Sequence, residues 1–458
     1  MLIRRISSLL IILAASAWLV DGSLAAEQTT WKAGTARSKI TPKKPLWMAG
    51  YAARTHPSEG TLHDIWVKVL ALEASDGYHG VIVTADILGF PKPSADNVSK
   101  DLQRRHNLER SQIMLTATHT HGGPAIRHTL QDCYPTNEKH RQDIEEYSED
   151  FESTVVATVD KALAKMMPAT LWAGEGNTDF AFNRRNNSEP KVPEMRRLGT
   201  PLKGPIDHSV PVLMVRTPGG DLRAVVFGYA CHTTALAGYE FSGDLAGFAQ
   251  INLEKSHPDT QAMFFQGCGS DQGCTPRRTV ELCQKYGKML SDTVEKVIAK
   301  PMRPLSPQLH TAIEFLELGF HEQPTMKELL ETAEKRGYQA RWAARLVKQL
   351  EQGKPFAKSY PAYPVQAWRL GANQLWITLG GEVAVNYSLL FKTKYGPQTW
   401  VAGYTNDVMA YIPSRKIWEG GGYQAGAFPV YGLPAKSWTP DIEALIAAAA
   451  ERLVKKVK

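Results

Sequence analysis

Apolar residues recur along this 458-residue chain in two rhythms. Short apolar runs bounded by turn residues predict strands at Trp31–Ile40, Ile65–Leu72, Gly80–Ala85, Ile113–Leu115 and Leu375–Leu379. Val210–Val215 and Leu222–Tyr229 flank Pro218-Gly219-Gly220-Asp221 and predict a hairpin, and Ser75-Asp76-Gly77 joins two of the earlier strands in the same way. Helical spacing appears over Ser94–Arg105, Arg141–Met166, Asp244–Ser256 and Val280–Ala299. Thr325–Gln352 is charged and amphipathic, and it predicts an outer helical hairpin, an insertion over residues 321–356. Strands alternating with helices give an α/β class, and the hairpins make its sheets mixed. The expected architecture is layered mixed β-sheets flanked by helices. No repeat or low-complexity linker divides the chain, so residues 27–458 read as a single large catalytic domain, with two intimately packed halves as the alternative.

The first residues belong to a different pattern. Arg4 and Arg5 precede an apolar run, Leu9 to Val20, that ends in small residues up to Ala25-Ala26. That run is short for a membrane span and suits a secretory signal peptide over residues 1–26, with an uncleaved anchor as the alternative. Its removal takes two arginines and one aspartate, so the formal charge of +7 falls by one. No Lys/Arg-rich block exists, which argues against a nucleic-acid partner. Export, periplasmic or secreted, permits disulfides. Of five cysteines, Cys268 and Cys274 are the candidate local pair. No Cys-x-x-Cys occurs, which argues against a structural thiolate zinc site.

Candidate chemistry collects at strand exits, where α/β proteins place functional residues. Thr118-His119-Thr120-His121-Gly122-Gly123-Pro124 follows Ile113–Leu115. In extended backbone, residues two apart share a side, so His119 and His121 would present two imidazoles to one point. His232 follows a buried run, Glu382 follows Leu375–Leu379 and two glycines, and Tyr411 stands in Ala410-Tyr411-Ile412-Pro413. Two imidazoles, a carboxylate and a phenol form a donor set suited to zinc. Each residue also has an ordinary reading: His232 a hydrogen-bonded core histidine, Glu382 a helix cap, Tyr411 a packed ring with its hydroxyl at the surface.

The chain resembles the catalytic domain of the neutral/alkaline (non-lysosomal) ceramidases. The matching elements run in order from Gly34-Thr35-Ala36-Arg37 through Ala117-Thr118-His119-Thr120-His121-Gly122-Gly123-Pro124 and Phe182-Asn183-Arg184-Arg185. They continue with Tyr229-Ala230-Cys231-His232, Gly267-Cys268-Gly269-Ser270-Asp271, Gly380-Gly381-Glu382 and Tyr411-Ile412-Pro413. The resemblance implies Zn2+ held by His119, His232, Glu382 and Tyr411. It places His121 and Arg184 on the scissile carbonyl oxygen, Glu382 near the attacking water, and Tyr423 as stand-in for a second family tyrosine. It further implies hydrolysis of an N-acyl amide in a ceramide-like lipid, with a small soluble N-acyl substrate or a catalytically silent metal-binding protein as alternatives. Ser270 is not read as a nucleophile. Peripheral membrane contact would need exposed aromatics, for which the candidates are Tyr360–Pro364, Trp418 and Phe428–Tyr431, unless these pack under loops.

Overall fold

The computed structural model describes residues 30–458, so the signal peptide read over residues 1–26 lies outside it. Eight strands build the main sheet: β1 Trp31–Lys39, β2 Trp66–Glu73, β3 His79–Ala85, β4 Ile113–Ala117, β5 Met167–Asn177, β6 Ser209–Arg216, β7 Leu222–Tyr229 and β8 Gln261–Gln266. Their order is β8-β7-β6-β5-β1-β2-β3-β4, and the short strand Arg303–Leu305 adds to β5. The outer pairs β3–β4 and β7–β8 are parallel, and the pairs between them antiparallel.

The side-chain alternation of these strands dictates the layers. In β2, Val67, Val69 and Ala71 face one way, packing with Phe151, Val155 and Val159 of the helix Glu138–Leu163. Leu70 and Leu72 face the other way. Both faces are apolar, so both must be covered. The second cover is another sheet: β9 Leu309–His321, β10 Ser359–Leu370, β11 Gln374–Leu379 and β12 Trp400–Ala402, with Ser437–Trp438 beyond β9. Trp368, Trp376 and Trp400 from this sheet meet Met263 and Phe265 of β8 in the dry seam between the two. The helices Val385–Tyr395 and Ile442–Lys456 close its far side. The result is a four-layered stack of helices, sheet, sheet and helices, a mixed α/β fold as the alternation predicts.

Five strands, β5, β8, β9, β10 and β12, lie outside the runs read from the sequence, and three of them show why. β5 begins exposed, β9 is half-exposed along most of its length, and β10 carries Pro361 and Pro364. β9 and β10 are joined by the helices Met326–Ala333 and Tyr338–Glu351. The second helix is tied inward: Arg345 pairs with buried Asp132, and Trp342 Nε1 donates to the Leu433 carbonyl at 3.0 Å. The expected Cys268–Cys274 pair does not form. All five thiols are free and buried, each filling core volume as a small apolar side chain. No helix among the described residues is long and apolar enough to cross a membrane.

Five strands end on one rim, and each hands the chain to a polar residue there. β4 leads to His119, β7 to His232, β8 to Ser270, β11 to Glu382 and β12 to Tyr404. Residues at the carboxyl ends of neighbouring parallel strands converge in this way.

Candidate metal centre

His119 Nε2 lies 3.1 Å from His232 Nε2. Glu382 Oε2 lies 3.5 Å from the first and 3.3 Å from the second. His121 Nε2 is 3.3 Å from His119 Nε2, and these three imidazoles form one group able to hold a metal ion. All four side chains are buried.

The hydrogen bonds on the far ring nitrogens fix what this cluster can do. His119 Nδ1 is 2.7 Å from the Leu88 carbonyl, and His232 Nδ1 is 3.0 Å from the Gly269 carbonyl. A carbonyl only accepts, so both Nδ1 atoms carry the hydrogen and both Nε2 atoms present lone pairs. Burial pushes His119 down to about 3, with the Leu88 carbonyl opposing, and holds His232 and His121 well below the usual imidazole value. The rings are therefore neutral, the form that binds metals. Two lone pairs and a carboxylate oxygen thus converge, and the nitrogen pair has no hydrogen to share. A cation between them resolves that repulsion, so the residues fit a zinc ion. His121 differs. Its Nδ1 has no partner, because the backbone of Gly50 presses on that side of the ring, and its Nε2 can turn a hydrogen toward the centre.

The convergence does not arise as the extended-strand reading supposed. β4 stops at Ala117, and His119 adopts a left-handed backbone, φ 56. Tyr404 does the same at φ 53. Non-glycine residues rarely hold this conformation, and it concentrates at functional sites. Glu382 and Tyr411 are brought together by sheet register, since they face each other in the parallel pair Glu382–Val383 with Tyr411–Ile412. Neither has its ordinary role. Glu382 precedes a helix capped at Ala384 and spends its carboxylate on tyrosine hydroxyls, while Tyr411 is only 6% exposed.

Arg184 enters from the small ribbon Ala181–Asn183 with Gln272–Cys274. Its Nε and Nη2 donate to the Ser270 carbonyl at 3.0 and 2.6 Å, and Nη2 lies 3.3 Å from both Tyr411 OH and His232 Nε2. Burial disfavours its charge, but Tyr411, Glu382 and Tyr404 together hold it protonated. Ser270 contributes its carbonyl to this arrangement, and no hydrogen bond among the described residues recruits its hydroxyl.

Tyr423 stands at the mouth, 54% exposed, its ring edge-on to Tyr411 at 5.3 Å. Two tyrosines lie closer to the chemistry, Tyr404, which the sequence did not single out, and Tyr431, which it offered only as a membrane-facing aromatic. Tyr431 OH donates to Glu382 Oε1, and Tyr404 OH donates to Glu382 Oε2 at 3.4 Å. Burial raises Glu382 to about 7, against the hydroxyl of Tyr431 and the charge of Arg184. The proposed membrane-facing aromatics pack instead. Tyr363, Phe428 and Val430 are buried, Tyr360 is bonded to Asp407, and Trp418 Nε1 donates to the Trp438 carbonyl at 2.7 Å.

A family model described as neutral/alkaline non-lysosomal ceramidase, N-terminal, matches residues 31–316. The neutral ceramidase of Pseudomonas aeruginosa is 24% identical over 237 residues, which is 50% of this chain and 34% of that protein. The aligned stretch thus spans about a third of the curated relative's length. The crystal structure of neutral ceramidase from Pseudomonas aeruginosa superposes with a TM-score of 0.68 at 18% identity, covering 93% of this chain and 75% of that one. A ceramidase complexed with C2 superposes with a TM-score of 0.69 at 17% identity, covering 93% and 76%. These likenesses establish the same fold. With its family match extending over more than half of the sequence, the chain belongs to the neutral/alkaline non-lysosomal ceramidase family.

Proposed function

We propose that the protein is an exported zinc-dependent amidohydrolase that cleaves the N-acyl amide of a ceramide-like lipid. The observation that carries this reading is the meeting of His119 Nε2, His232 Nε2 and Glu382 Oε2 within 3.5 Å, where the nitrogens share no hydrogen. His119, His232, Glu382 and Tyr411 are the residues that would hold zinc. When bound, the ion supplies Lewis acidity that makes water a nucleophile near neutral pH.

The chain's own groups supply the rest. His121 Nε2 and the Arg184 guanidinium direct hydrogens at the same point and stabilise negative charge growing on the acyl oxygen. Glu382 accepts the proton that water gives up and passes it to the leaving nitrogen. Tyr423, edge-on to Tyr411 at the mouth, meets the substrate as it enters. Membership of a ceramidase family supports an amide bond as the target. A zinc amidase of the same fold acting on a small soluble substrate is the second reading, favoured by the packing of the aromatics that would have met a membrane.

Metal analysis of the purified protein and assay on a short-chain fluorescent ceramide test the proposal. About one zinc per chain with chelator-sensitive release of the fatty acid is expected. Metal-independent cleavage, or none with zinc present, would sink it. Export is tested by fractionating cells that express the full chain, with loss of residues 1–26 expected in the exported form.

A further inference from the structure

The rim beside His121 carries an arginine that no carboxylate among the described residues pairs with. Tyr51 lies against the His121 imidazole, with ring centroids 4.7 Å apart. The exposed Arg278 places its guanidinium 5.1 Å from the Tyr51 centroid and donates to the Tyr51 hydroxyl at 3.0 Å. Among the described residues no acidic oxygen pairs with it. Its sequence neighbour Arg277 is, by contrast, forked onto Glu189. The backbone of Arg278 is left-handed, φ 95, and is held there by donation from its N–H to the Ala235 carbonyl at 2.6 Å. Strained backbone of this kind is found at turns and clusters at functional sites, and here it fixes where the Arg278 side chain leaves the chain.

Two further arginines share this character. Arg54, buried on Tyr51 at 5.1 Å, donates to the carbonyls of Ala49, His121 and Gly238. Arg185, which follows the ribbon strand Ala181–Asn183 and reaches the Tyr423 loop, donates to the Gly421 carbonyl and to Gln424 Oε1. Neither meets a carboxylate among the described residues. A neutral amide needs no such surroundings, whereas an anion beside the amide does, and a guanidinium fork matches a carboxylate with two parallel hydrogen bonds.

We propose that the site takes an N-acyl compound bearing a carboxylate close to the amide, an acylated amino acid in class, and that Arg278 binds that carboxylate. This deepens the second reading, a zinc amidase acting on a small soluble substrate, in place of the lipid, and rests on it for the fate of the ligand, though not for its binding.

The test compares N-hexanoylglycine with N-hexanoylglycinamide, near-isosteric ligands in which a carboxylate is replaced by a neutral carboxamide, by calorimetric binding to the metal-stripped protein and to its Arg278→Gln variant. The carboxylate should bind about tenfold tighter to the parent chain. Arg278→Gln should erase the difference by weakening the carboxylate and leaving the amide unchanged, which also reports an intact fold. Equal affinities in the parent, or equal weakening of both ligands, overturn the proposal. So does a variant that keeps the preference but loses binding to phosphatidylglycerol vesicles, since Arg278 would then face a lipid surface. Turnover of both compounds by the zinc-loaded enzyme is measured separately. Preference without turnover removes the hydrolase reading and leaves the charge recognition standing.

Discussion

The hydroxyl of Tyr431 donates to Oε1 of Glu382, leaving Oε2 to face the nitrogens of His119 and His232. A ligating carboxylate held this way is fixed in rotation before any ion arrives. Tyr431→Phe keeps the ring and removes only the donor. Zinc affinity should fall about 10- to 100-fold, read by competition with a chelator, while the unfolding midpoint stays near that of the parent. Unchanged affinity would show that Tyr404 alone orients the carboxylate.

Ligands and charge stabilisers separate by what survives their removal. His119→Ala and His232→Ala each delete a lone pair from the centre, so metal and activity should disappear together. Arg184→Ala deletes a guanidinium anchored on the Ser270 carbonyl and leaves both lone pairs in place. It should retain zinc and lose roughly two to three orders of magnitude in turnover. Metal content beside kcat makes the distinction, and an Arg184→Ala protein that binds far less zinc but keeps normal turnover per bound zinc would reverse the assignment.

Much of this site was legible because a buried strand followed by a polar residue is a strong local signal. His119, His232 and Glu382 stand at such exits, and their donor chemistry could be read before any coordinates. What brings them together was not legible. The left-handed turn at His119 is imposed by the surrounding loops, and no residue type near it announces φ 56. Nothing in the sequence around Tyr404 or Tyr431 marks a site, and only their reach to Glu382 gives them a role. The second sheet was half hidden for a related reason. β9 mixes charged and apolar residues because one face stays half-exposed, and β10 carries two prolines. Aromatic content misled in the opposite direction, since Phe428 and Tyr363 offered membrane contact and are core.

Gly50 lets one stretch of backbone come close to one imidazole. Its φ is 112, and a β-carbon there would stand 2.4 Å from His121 Cγ and Nδ1. Gly50→Ala therefore meets both backbone strain and a clash that only movement of His121 can relieve. Stability should fall by about 1–3 kcal/mol. Turnover should fall by more than that loss explains, with zinc retained, because the histidine displaced is the one aimed at the acyl oxygen. Chemical denaturation, metal analysis and kcat on a single preparation check this. Loss of zinc in parallel with activity would place His121 among the ligands.

Asp407 gives the fold a pH dependence that is separate from the metal centre. Its carboxyl is buried, with Oδ2 accepting from Tyr360 OH at 2.6 Å and Oδ1 without a partner. Burial raises it to about 7, against the Tyr360 hydroxyl, the charge of Lys92 and the Val408 N–H, with Asp96 adding to the rise. The folded value lies above the unfolded value of about 3.9. The protonated acid therefore contributes stability fully present below pH 4, and this is lost as pH rises through about 7. Asp407→Asn cannot ionise and keeps an acceptor for Tyr360. The variant should gain on the parent as pH rises from 5 to 8, by about 2–3 kcal/mol in urea denaturation. Parallel stability curves across that range would mean the acid is already ionised in the folded chain, with its charge met by Lys92.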